Sequence, residues 1–151
     1  MNSQQMTQKV EDIAKDVFGT LGSGHSEVAY QKAMEIGLRL QGLRFEAQKV
    51  LELTYRQHYI GEEFLDLVVG EGTERVIVEL KAVASIGEAE KQQLRNYMKT
   101  LGIGHGLLIN FPQCGKNRPP KMEVESRPIL PFEGENILPE KPKQKTARAG
   151  R

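Results

Sequence analysis

Thiols are almost absent from this chain: Cys114 is its single cysteine. One thiol cannot close an intramolecular disulfide or complete a zinc or iron–sulfur cluster. A reducing compartment is therefore the expected environment. Long apolar runs are missing too, and nothing approaches the roughly 20 residues that a membrane-spanning helix needs. The polar stretch from Met1 to Gln8 has no signal-peptide core. Together these absences predict a soluble cytoplasmic protein. Hydrophobic residues are also sparse, at 38% of 151, which suggests a polar tail attached to an ordinary core. The length suffices for one domain whose core needs no disulfide or structural metal.

A dominant charge of one sign is likewise missing, since the net charge is only +1. Its distribution is uneven. Residues 1–111 hold 12 Lys/Arg and 15 Asp/Glu, a net −3, while residues 112–151 hold 9 and 5, a net +4. A strongly basic nucleic-acid-binding fold would look different. An acidic core can still bind nucleic acid if metal ions neutralise its carboxylates and a local basic strip holds the backbone.

Hydrophobic periodicity predicts a helix over 7–21, with Val10, Ile13, Ala14, Val17, Phe18 and Leu21 on one face. Gly22-Ser23-Gly24 breaks it. A second helix is expected from Ser26, a natural N-cap, to a stop at Gly42. Strands are expected over 45–53, 64–69 and 75–83, with a turn at Gly70-Glu71-Gly72. The third of these is nearly continuously apolar, as central strands buried on both faces are. A third helix is expected over 87–101 and a short buried strand over 106–111. The order predicts an α/β fold: a mixed sheet made of a three-strand meander and a helical crossover to a fourth strand, with helices covering it. After Pro112, repeated prolines argue against regular elements. The expected organisation is a domain over 1–111, an irregular Pro-rich extension over 112–138 and a disordered basic tail over 139–151.

Charges inside apolar strands are the chemical anomaly. Glu79 and Lys81 interrupt Val78-Glu79-Leu80-Lys81-Ala82, and strand alternation points both to one face. Asp66 is a lone charge within Phe64-Leu65-Asp66-Leu67-Val68-Val69. The shared turn brings Asp66 and Glu79 near each other across a hairpin. Burying unpaired charge is costly, so these residues form either a structural ion-pair cluster or a polar site. Carboxylate oxygens are the ligands magnesium prefers, at about 2.0–2.1 Å and with several waters retained. A lysine beside them can orient or deprotonate an attacking water, or stabilise a phosphate. Metal-assisted phosphodiester hydrolysis uses all three. Glu27 opens the second helix on the face of Tyr30 and Met34, where an acid also suits the helix dipole. Gln93 and Tyr97 are spaced i, i+4 on the third helix.

Gly24-His25-Ser26-Glu27-Val28-Ala29-Tyr30 resembles the motif that names the GxxExxY proteins, which look like members of the PD-(D/E)XK nuclease superfamily. Asp66 and Glu79-Leu80-Lys81 fit its acidic and E-x-K elements. Gln93-Leu94-Arg95-Asn96-Tyr97 is similar to the Q-x-x-x-Y motif of RecB-like nucleases, and the strand at 106–111 also looks like this family. The resemblance covers about residues 8–112 and none of the tail. It implies a restriction-endonuclease-like αβββαβ core with one extra N-terminal helix. It also implies Mg²⁺ or Mn²⁺ held by Asp66 and Glu79 with Glu27 as accessory ligand, and Lys81 acting on the water or scissile phosphate. Gln93 and Tyr97 would position the site or the strand, with Gln93 counted among the catalytic set. The partner implied is nucleic acid, DNA in preference to RNA, with a homodimer left open. RecB-like enzymes often carry a metal-binding histidine before the acidic pair; His25 is the local candidate, and the motif does not demand it. The competing function is a noncatalytic nucleic-acid-binding or partner-docking module on the same fold.

Overall fold

The computed structural model describes residues 1–113 and 122–128. Cys114, much of the Pro-rich extension and the basic tail over 139–151 lie outside the described residues.

Helix α1 runs Ser3–Leu21. It starts earlier than the apolar period suggests because Asn2 and Gln5 form a reciprocal capping box, satisfying two otherwise orphaned backbone donors. Met6, Val10, Ile13, Ala14 and Val17 are its buried face. Helix α2 runs Glu27–Leu40, with the Ser26 hydroxyl accepting from the Ala29 N–H. Its buried face includes Tyr30, Met34 and Leu38. The two helices cross closely at Gly37, where a Cβ would collide with the Ile13 Cγ2 methyl; a larger residue there would force Ile13 or the helix pair to shift.

Five strands form one mixed sheet in sequential order: β1 Phe45–Tyr55, β2 His58–Glu71, β3 Glu74–Lys81, β4 His105–Asn110 and β5 Glu123–Pro128. Helix α3, Glu88–Leu101, is the crossover that makes β3 and β4 parallel; the remaining pairings are antiparallel. Helices α1 and α2 cover one sheet face over Leu67, Val69, Val76, Val78, Leu80, Leu107 and Ile109. Helix α3 covers the other through Leu94, Tyr97 and Met98, which pack on Val68, Ile77 and Leu108. This is the α/β arrangement that the element order predicts, consistent with the restriction-endonuclease-like core that the resemblance implies.

Two expectations need correction. The β1–β2 hairpin extends well past 53 and 64, with Tyr55 paired to His58 around Arg56-Gln57. Within the stretch expected to be irregular, residues 123–128 add the edge strand β5 along β4. Among the described residues no helix is long and apolar enough to cross a membrane.

Candidate active site

The β2–β3 hairpin has the register that the turn predicts, with Leu67 opposite Val78 and Glu71 opposite Glu74. Continuing it outward would set Asp66 opposite Glu79. The backbone ladder stops just before that pair, and side chains take over. The Asp66 N–H donates to Glu79 Oε1 at 3.1 Å, and the Leu80 N–H donates to Asp66 Oδ2 at 2.7 Å. Each carboxylate is thus pinned by the opposite strand's backbone. The Asp66 carbonyl accepts from Gln31 Nε2 of α2 at 2.9 Å.

The strands do not reach this arrangement by simple alternation. Leu67 and Val69 pack under α1 and α2, whereas Leu65, only two residues from Leu67, packs with the α3 cluster. The paired strand β1 switches too, with Phe45 on the first side and Leu51 and Leu53 on the second. Ala47 pairs with Leu67 and Lys49 with Leu65, so the switch falls at Gln48 and Asp66. Gln48 has φ of +52°, and its Nε2 donates to Asp66 Oδ1 at 3.4 Å.

Burial governs the electrostatics. Glu79 is only 4% exposed. Burial first, then the neighbouring Asp66 charge, pushes its carboxyl up to about 8. Asp66 is also raised, chiefly by burial, against the lowering pull of the Leu80 N–H, the Gln48 amide and the Lys81 charge. Glu27 stands at the exposed start of α2, is raised by partial burial, and feels Lys81 and Asp66 electrostatically. The Lys81 ammonium donates to Gln93 Oε1 at 3.5 Å. Among the described residues, no ion pair within salt-bridge distance joins Lys81 to Asp66 or Glu79. The cluster is therefore two confined acids beside a lysine, not a closed salt bridge.

The remaining predicted residues divide. Gln93 reaches the cluster. Tyr97 is 4% exposed, and its hydroxyl donates to Glu63 Oε2 at 2.7 Å. Burial and that bond push its phenol up. Its ring lies in the core between α3 and the sheet, and its hydroxyl also feels the charges of Glu79 and Asp66. His25 Nε2 faces the Leu21 carbonyl at 3.0 Å, and its ring meets Tyr30 edge-on. Tyr30 donates to the Gly22 carbonyl at 2.6 Å and stacks on Phe111 at 4.3 Å. His25 and Tyr30 thus clamp the α1–α2 loop, which sets where α2 presents Glu27.

Sequence reasoning missed Gln31, Gln48 and Asn110. Asn110 is fully buried, exchanges two hydrogen bonds with the Val83 backbone and also donates to Glu123. With the Phe111 N–H donating to the Lys81 carbonyl, it fixes the chain just beyond Lys81. A buried amide inside an apolar strand was the available signal at Asn110. Gln48 stands in a polar stretch and offers none.

The donor set suits a hard divalent cation. Carboxylate oxygens are what magnesium and manganese take, and the mutual repulsion of Asp66 and Glu79 is what such an ion relieves. Among the described residues no cluster of three or more His, Cys, Asp or Glu is arranged to hold an ion. The fit is thus to the magnesium habit of one or two carboxylates completed by water.

A mixed sheet between helices, with two acids and a lysine where its central hairpin opens, defines a nuclease-like α/β domain. Residues 4–122 match the family model of the PD-(D/E)XK nuclease superfamily, and the chain belongs to that superfamily, whose members are usually nucleases. No curated protein matches the sequence. A solved structure titled "Crystal structure of SSO0001" is similar at 14% identity and a TM-score of 0.48, over 68% of this chain and 51% of that one. The chain thus spans about half the length of that protein.

Proposed function

We propose that this chain is a Mg²⁺- or Mn²⁺-dependent nuclease of the GxxExxY kind, hydrolysing phosphodiester bonds of nucleic acid, DNA in preference to RNA. The observation that carries the reading is the reciprocal pinning of Asp66 and Glu79 at the open end of the β2–β3 ladder, with Lys81 beside them. A bound ion would supply an acidified water and offset charge on the phosphate. Asp66 and Glu79 would hold that ion, with Glu27 reaching it directly or through water. The pinning bonds keep both carboxylates in place before any ligand arrives, as electrostatic catalysis requires. In the reaction, a water oxygen bonds to phosphorus and gives up a proton to solvent, the bond from phosphorus to the leaving ester oxygen breaks, and that oxygen takes a proton from solvent. Lys81 orients the attacking water or steadies the phosphate charge, and the Gln93 carbonyl holds the Lys81 ammonium on station. Gln93 thus belongs to the proposed Q-x-x-x-Y element, while Tyr97 anchors that helix from within the core.

The test is cleavage of plasmid, single-stranded DNA and RNA with Mg²⁺ or Mn²⁺, set against EDTA and against Lys81→Ala. Metal-dependent cleavage lost in EDTA and reduced at least about 100-fold in Lys81→Ala is the expected result. Nucleic-acid binding without cleavage under every metal condition would instead establish a noncatalytic module.

A further inference from the structure

Gln48 combines three features that no local requirement explains. Its backbone lies at φ +52°, a region that non-glycine residues enter only at a cost. It is not a turn residue, because β1 continues on both sides and pairs with β2 before and after it. At this position both strands exchange which sheet face their apolar residues occupy. The distortion therefore re-aims two strands at once, as bulges beside functional sites do. Its side chain then turns onto Asp66 Oδ1, the oxygen that the Leu80 N–H leaves unclaimed.

We infer that Gln48 is a positioning residue for the metal-binding acid: its left-handed backbone turns β1 and β2 so that Asp66 leaves the ladder, and its amide then sets the direction of Oδ1. The inference rests on the proposed role of Asp66 as a metal ligand. Without the kink, alternation would carry Leu65 and Leu67 to the same face, and Asp66 would take an ordinary place in the pleat. With it, Oδ2 is fixed by backbone and Oδ1 by a neutral donor that adds no charge to an already crowded pair of acids. A neutral amide can yield one lone pair of Oδ1 to an ion while holding the other. Partners that orient a metal-binding carboxylate in this way are commonly worth about 10- to 100-fold in affinity.

Two substitutions separate the parts. Gln48→Met keeps length and the strained backbone but removes the donor. Gln48→Gly removes the donor and makes the left-handed conformation free of strain. Manganese binding is measured by calorimetry, and thermal melts are recorded in EDTA. Both variants are expected to bind Mn²⁺ about tenfold more weakly than the parent, and Gln48→Gly should melt above Gln48→Met. Asp66→Asn and the parent serve as controls. A parent that binds no Mn²⁺ would refute the metal reading itself. Parent-like affinity in both variants, with the parent binding and Asp66→Asn not, would overturn the role of Gln48 alone. Gln48→Gly melting no higher than Gln48→Met would remove the strain from the argument.

Discussion

At the scale of single residues, the question is whether Asp66 serves chemistry or holds the strands together. A structural role would need its charge, through an ion pair with Lys81. The geometry gives it none within salt-bridge distance among the described residues. Its bond to the Leu80 N–H needs only an oxygen acceptor, which an asparagine also has. Asp66→Asn should therefore keep or raise the melting temperature without metal, because it removes a charge that repels buried Glu79. It should also lose the stabilisation that Mg²⁺ or Mn²⁺ gives the parent, since only the folded state binds the ion. Melts of both proteins, with metal and with EDTA, decide this. A variant destabilised by several kcal/mol with its metal response intact would assign Asp66 to structure. Asp66, Glu79 and Lys81 were legible as charges where alternation demands apolar residues. Their mode of convergence was not, because a ladder that opens at one residue leaves no mark in hydrophobic pattern. Gln48 was invisible for a related reason: an amide in a polar stretch looks like surface whether or not it touches an acid. Gln31 was missed although it falls on the buried stripe of α2 with Tyr30, Met34 and Leu38, where a lone amide is itself a signal.

At the scale of elements, each helix was readable from its period and its stop signals, and the buried strands from their apolar runs. The misses fall where strands leave the core. Residues 58–63 form the outer arm of a hairpin, where exposure alternates residue by residue but hydropathy does not follow it: Ile60 is exposed while Gly61 and Glu63 are half-buried. Strand β5 is an edge strand with the apolar side chain of Val124 packed on the core cluster and polar residues at 123, 125 and 126. The hairpin turn was hidden by its residues. Arg56 at φ +47° and Gln57 at φ +69° adopt the double left-handed geometry that normally calls for Asn-Gly. The turn persists because the strands on either side are paired and Arg56 braces against Tyr55, its Nε donating to the phenol oxygen at 2.8 Å. Relieving one strained residue should stabilise the arm: Gln57→Gly is expected to add about 1 kcal/mol, measured by urea denaturation with the slope unchanged. A loss of stability would mean that the Gln57 side chain holds the turn by a contact worth more than its backbone strain.

For the molecule as a whole, the confined acids make a prediction about pH. Burial and mutual repulsion raise Glu79 to about 8, and burial raises Asp66 and Glu27 above their ordinary values. The unfolded chain releases these protons near the usual carboxylate range, at about pH 4. Over the interval up to about 8, the metal-free folded state holds protons that the unfolded state has lost, so deprotonation favours unfolding. The stabilising contribution is complete below the unfolded value and disappears as pH climbs through the folded one. Glu74 and Glu90 have the opposite shift, lowered by hydrogen bonds from Ser3 and from the start of α3. Their effect falls below about pH 4.5 and leaves the upper interval alone. In EDTA the melting temperature should therefore fall between about pH 5 and pH 8. Saturating Mg²⁺ should offset the fall progressively, because carboxylates must be ionised to bind it and affinity rises as they lose protons. Glu79→Gln should flatten the slope in EDTA and lose the rise with Mg²⁺. A metal-free protein whose melting temperature climbs over the same interval, unchanged by Glu79→Gln, would mean that water reaches this pair and that the acids stand ionised without an ion between them.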